Sequence, residues 1–341
     1  VSRYLDSRSE PAASVSAPEA AQADASGLEV HFLDIGQGDS ALLFCGDETL
    51  LIDGGKVKNN QKLIARLKEL EVDHLDAVIC SHPDEDHCGG LSAVLASTRT
   101  DAFYCSVDSW HTKVFSDVTK YVAEQGISVT IPQAGDTFAF SDASVEFLGP
   151  VVDYGDDPNE GSLVARVRYG ETSFLFTGDM GFEAEDDMLA AGVDVSATVL
   201  KVAHHGSAGS SSTEFLQAVH PQYAVISVGA DNDYGHPTEA ALNRLSACGI
   251  PVYRTDLLGE IIAVSDGKTV TITSASNEAP PASDAASQTA GSYGYVGNSS
   301  SKVVHLASCG KLPGESNRVY FASLDEALAA GYRKHANCLG N

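Results

Sequence analysis

The chain has 341 residues, of which 43% are hydrophobic and 20% charged, so it can bury a sizeable core as one large domain plus a small one. Its formal net charge is −26 at pH 7, a field that repels nucleic acid and anionic membranes over most of the surface. An anionic substrate therefore needs local compensation, for which bound divalent cations are the expected source. The sequence has no run of about 18 apolar residues, which excludes a membrane-spanning helix.

Residues 1–27 are rich in Ala, Ser, Pro and Glu, a composition typical of a flexible, disordered tether. The chain begins with Val1 rather than Met, and we expect a signal or anchor segment upstream of it. The alternative is an ordinary disordered tail of a cytosolic protein. The first interpretation places the protein outside a bacterial cell or anchored at its surface.

Between residues 28 and 273 the sequence alternates strand-like and helix-like patterns, as expected of an α/β domain. The predicted strands cover residues 28–36, 40–46, 48–55, 75–82, 145–149, 163–169, 172–177, 197–203, 223–228, 251–253, 260–265 and 268–273. The predicted helices cover residues 60–72, 182–191, 213–219 and 238–248.

A second Ala-, Ser- and Pro-rich segment, residues 274–292, is predicted to be a linker. It separates the α/β domain from residues 293–341, which differ in charge. These last residues carry a net charge of +2, whereas residues 1–292 carry −28. We therefore predict a separate C-terminal module.

Residues with metal-binding side chains follow several of the predicted strands. "SHPDEDHCGG" (81–90) follows one strand, "FTGD" ends on Asp179 after another, and "HHGS" (204–207) follows a third. Because loops beyond strand ends converge on one edge of an α/β fold, we expect these segments to lie together. Imidazole and carboxylate ligands suit Zn, Mn or Fe, and a shared carboxylate can bridge two metals about 3.5 to 4 Å apart.

The alternative interpretation of residues 81–90 is a solvated acidic turn in a very acidic protein. Asp53 and the two later segments, each at a strand end, argue against it. We therefore predict a ligand loop, in which Gly89 and Gly90 let the chain turn tightly into the next segment.

These segments resemble the metallo-β-lactamase fold, and most closely the hydrolase-like domain of the ComEC family of competence DNA-uptake channels. The matching stretches cover roughly residues 28–265 and are "HFLDIGQGDSALL", "LLIDGG", "SHPDEDHCGGL", "FLFTGD", "LKVAHHGSAGSSS", "ISVGADNDYGHPT" and "YRTDLLGEI". The resemblance implies an α/β fold built as a four-layer αβ/βα sandwich, with the metals at one edge of the paired sheets.

The resemblance also implies a ligand set for one or two divalent metals. The first metal is expected on His82, Asp84 and a bridging Asp179. The second is expected on Asp86, His87, Asp179 and His205. The residues expected to orient these ligands are Asp39 and Asp53.

On the substrate side, the resemblance implies catalytic roles for Asp86, His204 and His236. His204 is expected beside the substrate phosphate, and His236 is expected to donate to a phosphate or to the leaving oxygen. The alternative for His236 is a core histidine. The hydroxyl and backbone N–H groups expected to contact phosphate oxygens are those of Ser207, Ser210 and Ser211. The alternative for residues 204–212 is a flexible Gly/Ser loop.

The sequence departs from the usual superfamily pattern at two points. Asp84 stands where most members have histidine, as it does in ComEC-type sequences. The third-motif histidine before "FTGD" is missing, and residues 149–164 occupy its place. The first metal is therefore one ligand short and is expected to be closer to Mn than to Zn in character.

The C-terminal residues contain two pairs of metal-type ligands, His305 with Cys309 and His335 with Cys338. Four N and S ligands in two close pairs form a structural zinc pattern, and zinc lets a short segment fold without a large core. The alternative is coincidental spacing.

The segment "RVYFASLDEALAAGYR" resembles the small metal-binding domain of Ada-type DNA repair proteins. There, a proline and a cysteine usually stand where this chain has Lys334 and His335. The methyl-acceptor chemistry of an all-cysteine site is therefore not expected here. We expect a structural zinc module that contacts DNA or the cell surface.

These observations predict a secreted or surface-tethered metal-dependent phosphodiesterase, a nuclease that acts on DNA in competence or in extracellular DNA processing. The alternative enzyme hydrolyses phosphocholine or teichoic acid of the cell wall, as related hydrolases with an "HHGS" segment do. A third interpretation is a catalytically degenerate binding or assembly module, which the nearly complete ligand set disfavours. The missing third-motif histidine also argues against β-lactam hydrolysis.

Overall fold

The computed structural model describes residues 27–230, 232–276, 295–306, 309, 311–314, 317–321 and 324–339. The tether predicted over residues 1–27 and most of the linker predicted over residues 274–292 lie outside the described residues. No helix within the described ranges is long and apolar enough to cross a membrane.

Strands and helices alternate along residues 28–274. The strands are β1 (Leu28–Phe32), β2 (Ala41–Cys45), β3 (Glu48–Ile52), β4 (His74–Cys80), β5 (Arg99–Cys105), β6 (Val129–Thr130), β7 (Thr137–Phe140), β8 (Ala143–Gly149), β9 (Val164–Tyr169), β10 (Thr172–Phe176), β11 (Val199–Lys201), β12 (Tyr223–Ile226), β13 (Val252–Arg254), β14 (Ile261–Ser265) and β15 (Val270–Ser274). The helices are α1 (Asn60–Glu69), α2 (Glu85–Cys88), α3 (Leu91–Ser97), α4 (Lys113–Glu124), α5 (Phe182–Ala190), α6 (Thr213–Val219), α7 (Glu239–Ala247) and α8 (Thr255–Leu258). Short 3-10 helices span Val57–Asn59 and Ala203–Gly206.

These strands form two sheets. The first has the order β15-β14-β1-β2-β3-β4-β5-β6, and the second has the order β13-β12-β11-β10-β9-β8-β7. Apolar side chains on the facing sides of the two sheets pack together into one buried core, to which Val30, Leu43, Val167 and Phe174 belong. Because successive strand residues point to opposite faces, each sheet has a second apolar face that must also be covered.

Helices cover both outer faces. Leu63 of α1 and Phe115 of α4 pack with Leu42 and Val78 of the first sheet. Met188 of α5 and Phe215 of α6 belong to the corresponding core outside the second sheet. The result is a helix–sheet–sheet–helix arrangement, which confirms the predicted four-layer fold.

The sequence analysis assigned no element to residues 91–144, where the structure has α3, β5, α4, β6 and β7. Helix α4 contains several β-branched residues, which lower helix propensity. Its buried face, Phe115, Val118 and Val122, packs against the first sheet. Packing of this buried face therefore adds to local helix signals that the sequence analysis overlooked, the amphipathic pattern and the N-cap at Thr112.

Residues 295–339 form a separate small sheet with the order β18-β16-β17-β19. Its elements are β16 (Tyr295–Asn298), β17 (Val303–Leu306), β18 (Arg318–Phe321), α9 (Leu324–Ala329), β19 (Arg333–Lys334) and α10 (Ala336–Leu339). Among the described residues its core consists mainly of Val304, Val319, Phe321, Ala327 and Tyr332. Such a core is small for independent stability, which agrees with the prediction of a metal-stabilised module.

The four predicted zinc ligands lie together in this module. One ligand atom from each of His305, Cys309, His335 and Cys338 lies within 4.8 Å of the other three. His335 Nδ1 is 3.2 Å from Cys338 Sγ and 3.8 Å from Cys309 Sγ. Nδ1 of His305 is buried without a hydrogen-bond partner. The cluster can therefore bind zinc through two nitrogen and two sulfur ligands.

We expect replacement of Cys309 or Cys338 by Ser to remove about one equivalent of zinc per chain and to unfold the C-terminal module, because metal binding supplies most of its folding free energy. Metal content by mass spectrometry of the full chain, with hydrogen exchange of residues 295–339, measures both effects. The matched control is Cys248→Ser, which changes a half-buried cysteine elsewhere. Equal zinc content in all three variants would show that the cluster holds no metal.

A buried histidine on β1 joins three elements of the first sheet region. His31 Nδ1 lies 2.7 Å from Glu260 Oε1, and Nε2 lies 2.6 Å from Glu29 Oε1. Arg66 of α1 donates to the other oxygen of Glu260 at 2.7 Å. Burial lowers the pKa of His31, but the hydrogen bonds to Glu260 and Glu29 raise this pKa by more than burial lowers it. The net shift of the pKa is therefore upward.

A histidine whose pKa is higher in the folded state than in the unfolded state stabilises the folded protein when it is protonated. This stabilisation is complete below the unfolded-state pKa of about 6.5 and is lost as the pH rises through the folded-state pKa. We therefore expect His31→Gln to cost about 2 kcal/mol in the free energy of unfolding below that pH, and less at alkaline pH. Urea unfolding followed by Trp110, the single tryptophan, measures this in the large domain. The exposed His111→Gln variant is the control. A cost independent of pH would contradict the ion-pair interpretation.

Candidate metal centre

The metal-type residues meet where strand ends of both sheets lie side by side. Parallel pairing of β3 with β4 places Asp53 and His82 at one edge of the first sheet, and parallel pairing of β10 with β11 places Asp179 and His204 at one edge of the second. Backbone hydrogen bonds tie the loops together: Asp39 N–H donates to the carbonyl of Asp86 at 3.0 Å. The predicted convergence of these segments is therefore present.

His87 lies at the centre of the cluster, fully buried. Its Nδ1 donates to Asp53 Oδ2 at 2.9 Å, and its Nε2 is 3.0 Å from Asp179 Oδ1. Asp53 also accepts hydrogen bonds from the backbone and the hydroxyl of Ser81, at 2.7 and 2.8 Å. Asp53 therefore holds the imidazole with Nε2 directed at Asp179, which is what an orienting carboxylate does.

His205 is held in the same way from the other sheet. Its Nδ1 lies 2.9 Å from the carbonyl oxygen of Ser227 and 3.0 Å from Asp39 Oδ1. Its Nε2 faces Asp86 Oδ2 at 3.6 Å and Asp179 Oδ2 at 3.7 Å. Asp39 thus lies on the side of the ring opposite Nε2, a position that orients the ligand.

A buried lysine, which the sequence analysis did not identify, fixes Asp39. Lys201 Nζ lies 2.6 Å from Asp39 Oδ2 and donates to the carbonyl of Val202 at 2.9 Å. Burial raises the pKa of Asp39, but the charges of Lys201 and His205 lower it to about 2. The sequence signal is a single lysine in the apolar strand that precedes "HHGS".

His82 is also fully buried, and its Nδ1 lies 3.0 Å from Ser81 Oγ and 3.3 Å from Ser162 Oγ. Its Nε2 is 3.9 Å from Asp84 Oδ2. Ser162 belongs to residues 149–164, which replace the missing third-motif histidine. That segment supplies a hydroxyl on the Nδ1 side of His82, and this hydroxyl does not replace the missing imidazole ligand.

The residues present fit a divalent metal, as their buried polar atoms show. Nε2 of His82 and Nε2 of His205 are buried without a hydrogen-bond partner, and Nε2 of His87 faces Asp179 Oδ1 at 3.0 Å. A buried polar atom without a partner costs about 1–3 kcal/mol, so such a cluster is unfavourable unless a ligand satisfies it. Ligand atoms of Asp39, His87, Asp179 and His205 lie within 4.8 Å of one another. Imidazole nitrogens with carboxylate oxygens are the donor set of Zn, Mn and Fe sites.

Protonation balances the buried charges in this structure. Burial raises the pKa of Asp179, but His87 and His205 hold it well below its usual range. Burial lowers the pKa of His205, but Asp179 and Asp39 raise it to about 10. His82 behaves oppositely, because burial and the nearby charge of His87 lower its pKa to about 3. Metal binding would therefore release protons from this cluster.

The two histidines of "HHGS" lie in a strained turn. His204 (φ 51°, ψ 43°) and His205 (φ 52°, ψ 24°) both have left-handed backbone conformations, each of which costs about 1–3 kcal/mol for a residue other than glycine. His204 N–H donates to the carbonyl of Gly178 at 3.0 Å, which holds the turn against the end of β10. The turn directs His205 into the cluster and leaves the His204 side chain 30% exposed at its mouth.

His236 completes the mouth from a second loop. Its ring is 5.6 Å from that of His204, and its Nδ1 is buried without a hydrogen-bond partner. Asn232 holds its backbone by bonds of 2.7 and 2.9 Å. Burial and the charge of His204 lower the pKa of His236 to about 4, so the ring is neutral near pH 7. It lies at the site edge, as its predicted substrate-facing role requires.

Two of the predicted phosphate contacts are wrong. Ser210 and Ser211 are buried, and Ser210 Oγ donates to the carbonyl of Ala203 at 2.9 Å. The N–H groups of Ser211 and Ser212 donate to the carboxylate of Glu185. These serines therefore build the loop and are inaccessible to a substrate. Ser207 is half-buried, and its predicted role stays a prediction.

A buried arginine holds the same loop from the other side. Arg244 of α7 donates to the carbonyl oxygens of Ser210 and Ser211 at 2.6 and 2.8 Å. Together with Glu185, it rigidifies residues 204–212, which argues against the flexible-loop alternative. The sequence analysis did not identify this pair, because both residues lie far from the loop along the chain.

Residues 81–90 also differ in detail from the prediction of a loop, because Glu85–Cys88 form the helical turn α2. Gly89 and Gly90, which were predicted to let the chain turn tightly into the next segment, have ordinary right-handed φ values of −58° and −76°, so a left-handed backbone conformation is not what they provide. A Cβ on Gly90 would lie 2.0 Å from the carbonyl oxygen of Gly54. Close backbone approach therefore requires the glycine.

Comparison with known proteins places these observations in a family. Residues 33–230 match the family described as the metallo-beta-lactamase superfamily. ComE operon protein 3 of Bacillus subtilis is 31% identical over 251 residues, which cover 68% of this chain and 32% of that protein. Competence protein ComA of Neisseria gonorrhoeae is 36% identical over 230 residues, which cover 67% of this chain and 31% of that protein. Recombination protein 2 of Haemophilus influenzae is 30% identical over 241 residues, which cover 68% of this chain and 28% of that protein.

The chain spans about three tenths of the length of these relatives. The match begins after β1 and includes the His- and Asp-bearing strand ends of both sheets. The chain is therefore a member of the metallo-beta-lactamase superfamily of metal-dependent hydrolases, with relatives named for competence.

Proposed function

We propose that this chain is a metal-dependent phosphodiesterase that cleaves DNA outside a bacterial cell or at its surface. The observation that carries the proposal is the convergence of three buried Nε2 atoms and the Asp179 carboxylate, two of these nitrogens without a hydrogen-bond partner, beneath a mouth formed by His204 and His236. The competence names of the relatives that match this domain support DNA as the substrate.

The donor set supports different roles for the residues in binding one or two metals. His87, Asp179, His205 and Asp86 would hold one divalent metal, and His82 with Asp84 would hold a second or complete the first. A bound divalent metal would lower the pKa of a water molecule and stabilise the negative charge that develops on the phosphate oxygens. Asp39 and Asp53 keep the imidazoles in the tautomer that presents Nε2.

At the mouth, His204 and His236 face the space where a phosphate would lie. His204 Nε2 is 3.6 Å from Asp179 Oδ2, so this ring is next to the ligand cluster but partly exposed. His236 is neutral and can donate one hydrogen bond to a phosphate oxygen or to the leaving oxygen. Asp84 in place of a histidine, together with the missing third-motif histidine, favours phosphodiester over β-lactam hydrolysis.

The cell-wall alternative has less support. Recognition of choline requires aromatic faces that are free to bind a quaternary ammonium group. The exposed aromatic ring that the described residues place beside His236 is that of Tyr234, and the positive charge of Lys56, 4.8 Å from the ring centroid, would repel a quaternary ammonium group there. The binding-module alternative conflicts with a nearly complete cluster of oriented ligands.

We expect Asp86→Ala and His87→Ala to abolish hydrolysis of bis-p-nitrophenyl phosphate and of labelled DNA, because each removes an expected metal ligand. The assay uses protein that has been chelated and then supplied with Mn or Zn. Asp86→Asn keeps the shape of the side chain, and its loss of activity would show that the charge is required. His111→Ala, an exposed histidine, is the matched control and keeps activity.

Absence of hydrolysis of every phosphodiester by the wild-type chain, with either metal, would overturn the proposed function. Retained activity in both alanine variants would overturn the assigned ligand set. The location outside the cell is tested separately, by fractionating cells that express the complete gene and detecting the protein in each fraction.

A further inference from the structure

Two residues that the ligand set does not use lie across the mouth of the metal centre. Lys56 follows β3, on the side of the first sheet, and its Nζ is 4.0 Å from Asp86 Oδ2. Tyr234 precedes α7, on the side of the second sheet, and Lys56 donates to its hydroxyl at 3.1 Å. This pair, the Lys56–Tyr234 pair, therefore joins loops from the two halves of the site.

The charge of Lys56 is unusual for its surroundings. The neighbouring acidic side chains Asp84 and Glu85 are partly or fully exposed, and the chain as a whole carries −26. The other lysine that the described residues place against the site, Lys201, is buried and engaged by Asp39. Lys56 is therefore a positively charged side chain at the mouth. A substrate phosphate that reaches its Nζ would replace the 4.0 Å contact with Asp86 Oδ2.

Tyr234 is the aromatic part of this surface. It is 59% exposed, although burial of an aromatic ring is favourable. Its position is nevertheless defined: Asn232 Oδ1 accepts from its N–H at 3.2 Å, and its ring lies 25° from parallel to that of His236, at 5.8 Å. Lys56 Nζ lies over this ring, 4.8 Å from its centroid, so a planar group of the substrate can stack on the ring when Lys56 turns to a substrate phosphate.

We propose that the Lys56–Tyr234 pair is a nucleotide-binding subsite that selects single-stranded nucleic acid. Lys56 contacts a phosphate next to the scissile one, and Tyr234 stacks on an unpaired base. The inference rests on the proposed phosphodiesterase function and names its substrate class. An aromatic ring can stack only on a base that is free of its own duplex stack. A duplex also brings a dense array of phosphates to an acidic surface, and one lysine cannot offset that repulsion.

The experiment compares two substrates in the full chain: a short labelled single-stranded oligonucleotide, and bis-p-nitrophenyl phosphate, which has no base. We expect Tyr234→Ala to lower the ratio of kcat/KM for the oligonucleotide to that for the small diester by roughly 5- to 150-fold, mainly through KM. Tyr234→Phe keeps the ring and is expected to keep most of the ratio. An equal loss for both substrates, or an equal loss in the Phe and Ala variants, would overturn stacking.

The role of Lys56 is tested by salt dependence. We expect Lys56→Met to reduce the slope of log kcat/KM against log salt for the oligonucleotide by about 0.7, the value for one phosphate contact on a single strand. Lys120→Met is the matched control, because Lys120 also lies over a tyrosine ring, that of Tyr121 on α4. An unchanged slope in Lys56→Met would overturn the phosphate contact.

The wild-type chain separates this inference from the proposed function. Failure to hydrolyse either substrate would overturn both. Hydrolysis of the small diester with a preference for duplex DNA, or for p-nitrophenyl phosphorylcholine, over the single strand would overturn the subsite and leave a phosphodiesterase.

Discussion

The metal centre depends on polar contacts that cross from one sheet to the other. His87, in α2 after β4 of the first sheet, faces Asp179, in the loop after β10 of the second, at 3.0 Å. Lys201 of β11 in the second sheet contacts Asp39, in the loop between β1 and β2 of the first, at 2.6 Å. These contacts form only when the apolar faces of the two sheets pack in a fixed register. The core between the sheets, which includes Phe32, Phe147 and Phe174, is therefore a condition for the site as well as for stability.

One arrangement recurs at each buried histidine of the cluster. The Nδ1 atom contacts a neighbour that positions the ring, which is Asp53 for His87, the Ser227 carbonyl for His205 and Ser81 for His82. Each ring therefore presents Nε2 to the same space. Because the tautomer of a histidine is set by the bond at its other nitrogen, these neighbours matter as much as the ligands. The strained turn at His204 and His205 is the backbone part of the same arrangement.

The strand ends that carry the ligands were predictable, because long apolar runs ending in His and Asp are local features of the sequence. The elements of residues 91–144 were missed. Helix α4 contains β-branched residues that lower helix propensity, but its amphipathic pattern and its N-cap at Thr112 are local signals, and packing of Phe115 and Val118 stabilises it. The serines of residues 204–212 misled the prediction for a physical reason. Their polarity suggested that they contact a substrate. In the structure their backbone groups instead bond to Glu185 and Arg244, which are distant in sequence.

The sequence by itself determined the alternation of strands and helices, the ligand types and the two C-terminal His/Cys pairs, because periodicity and short spacings are local, while the layered arrangement followed from the family resemblance. Only the tertiary structure decided which side chains meet. In the tertiary structure Ser210 and Ser211 are buried, Lys201 forms an ion pair with Asp39, and Lys56 lies beside Tyr234 across the mouth. These pairings join residues far apart along the chain, and the packing of two sheets against each other determines their distances.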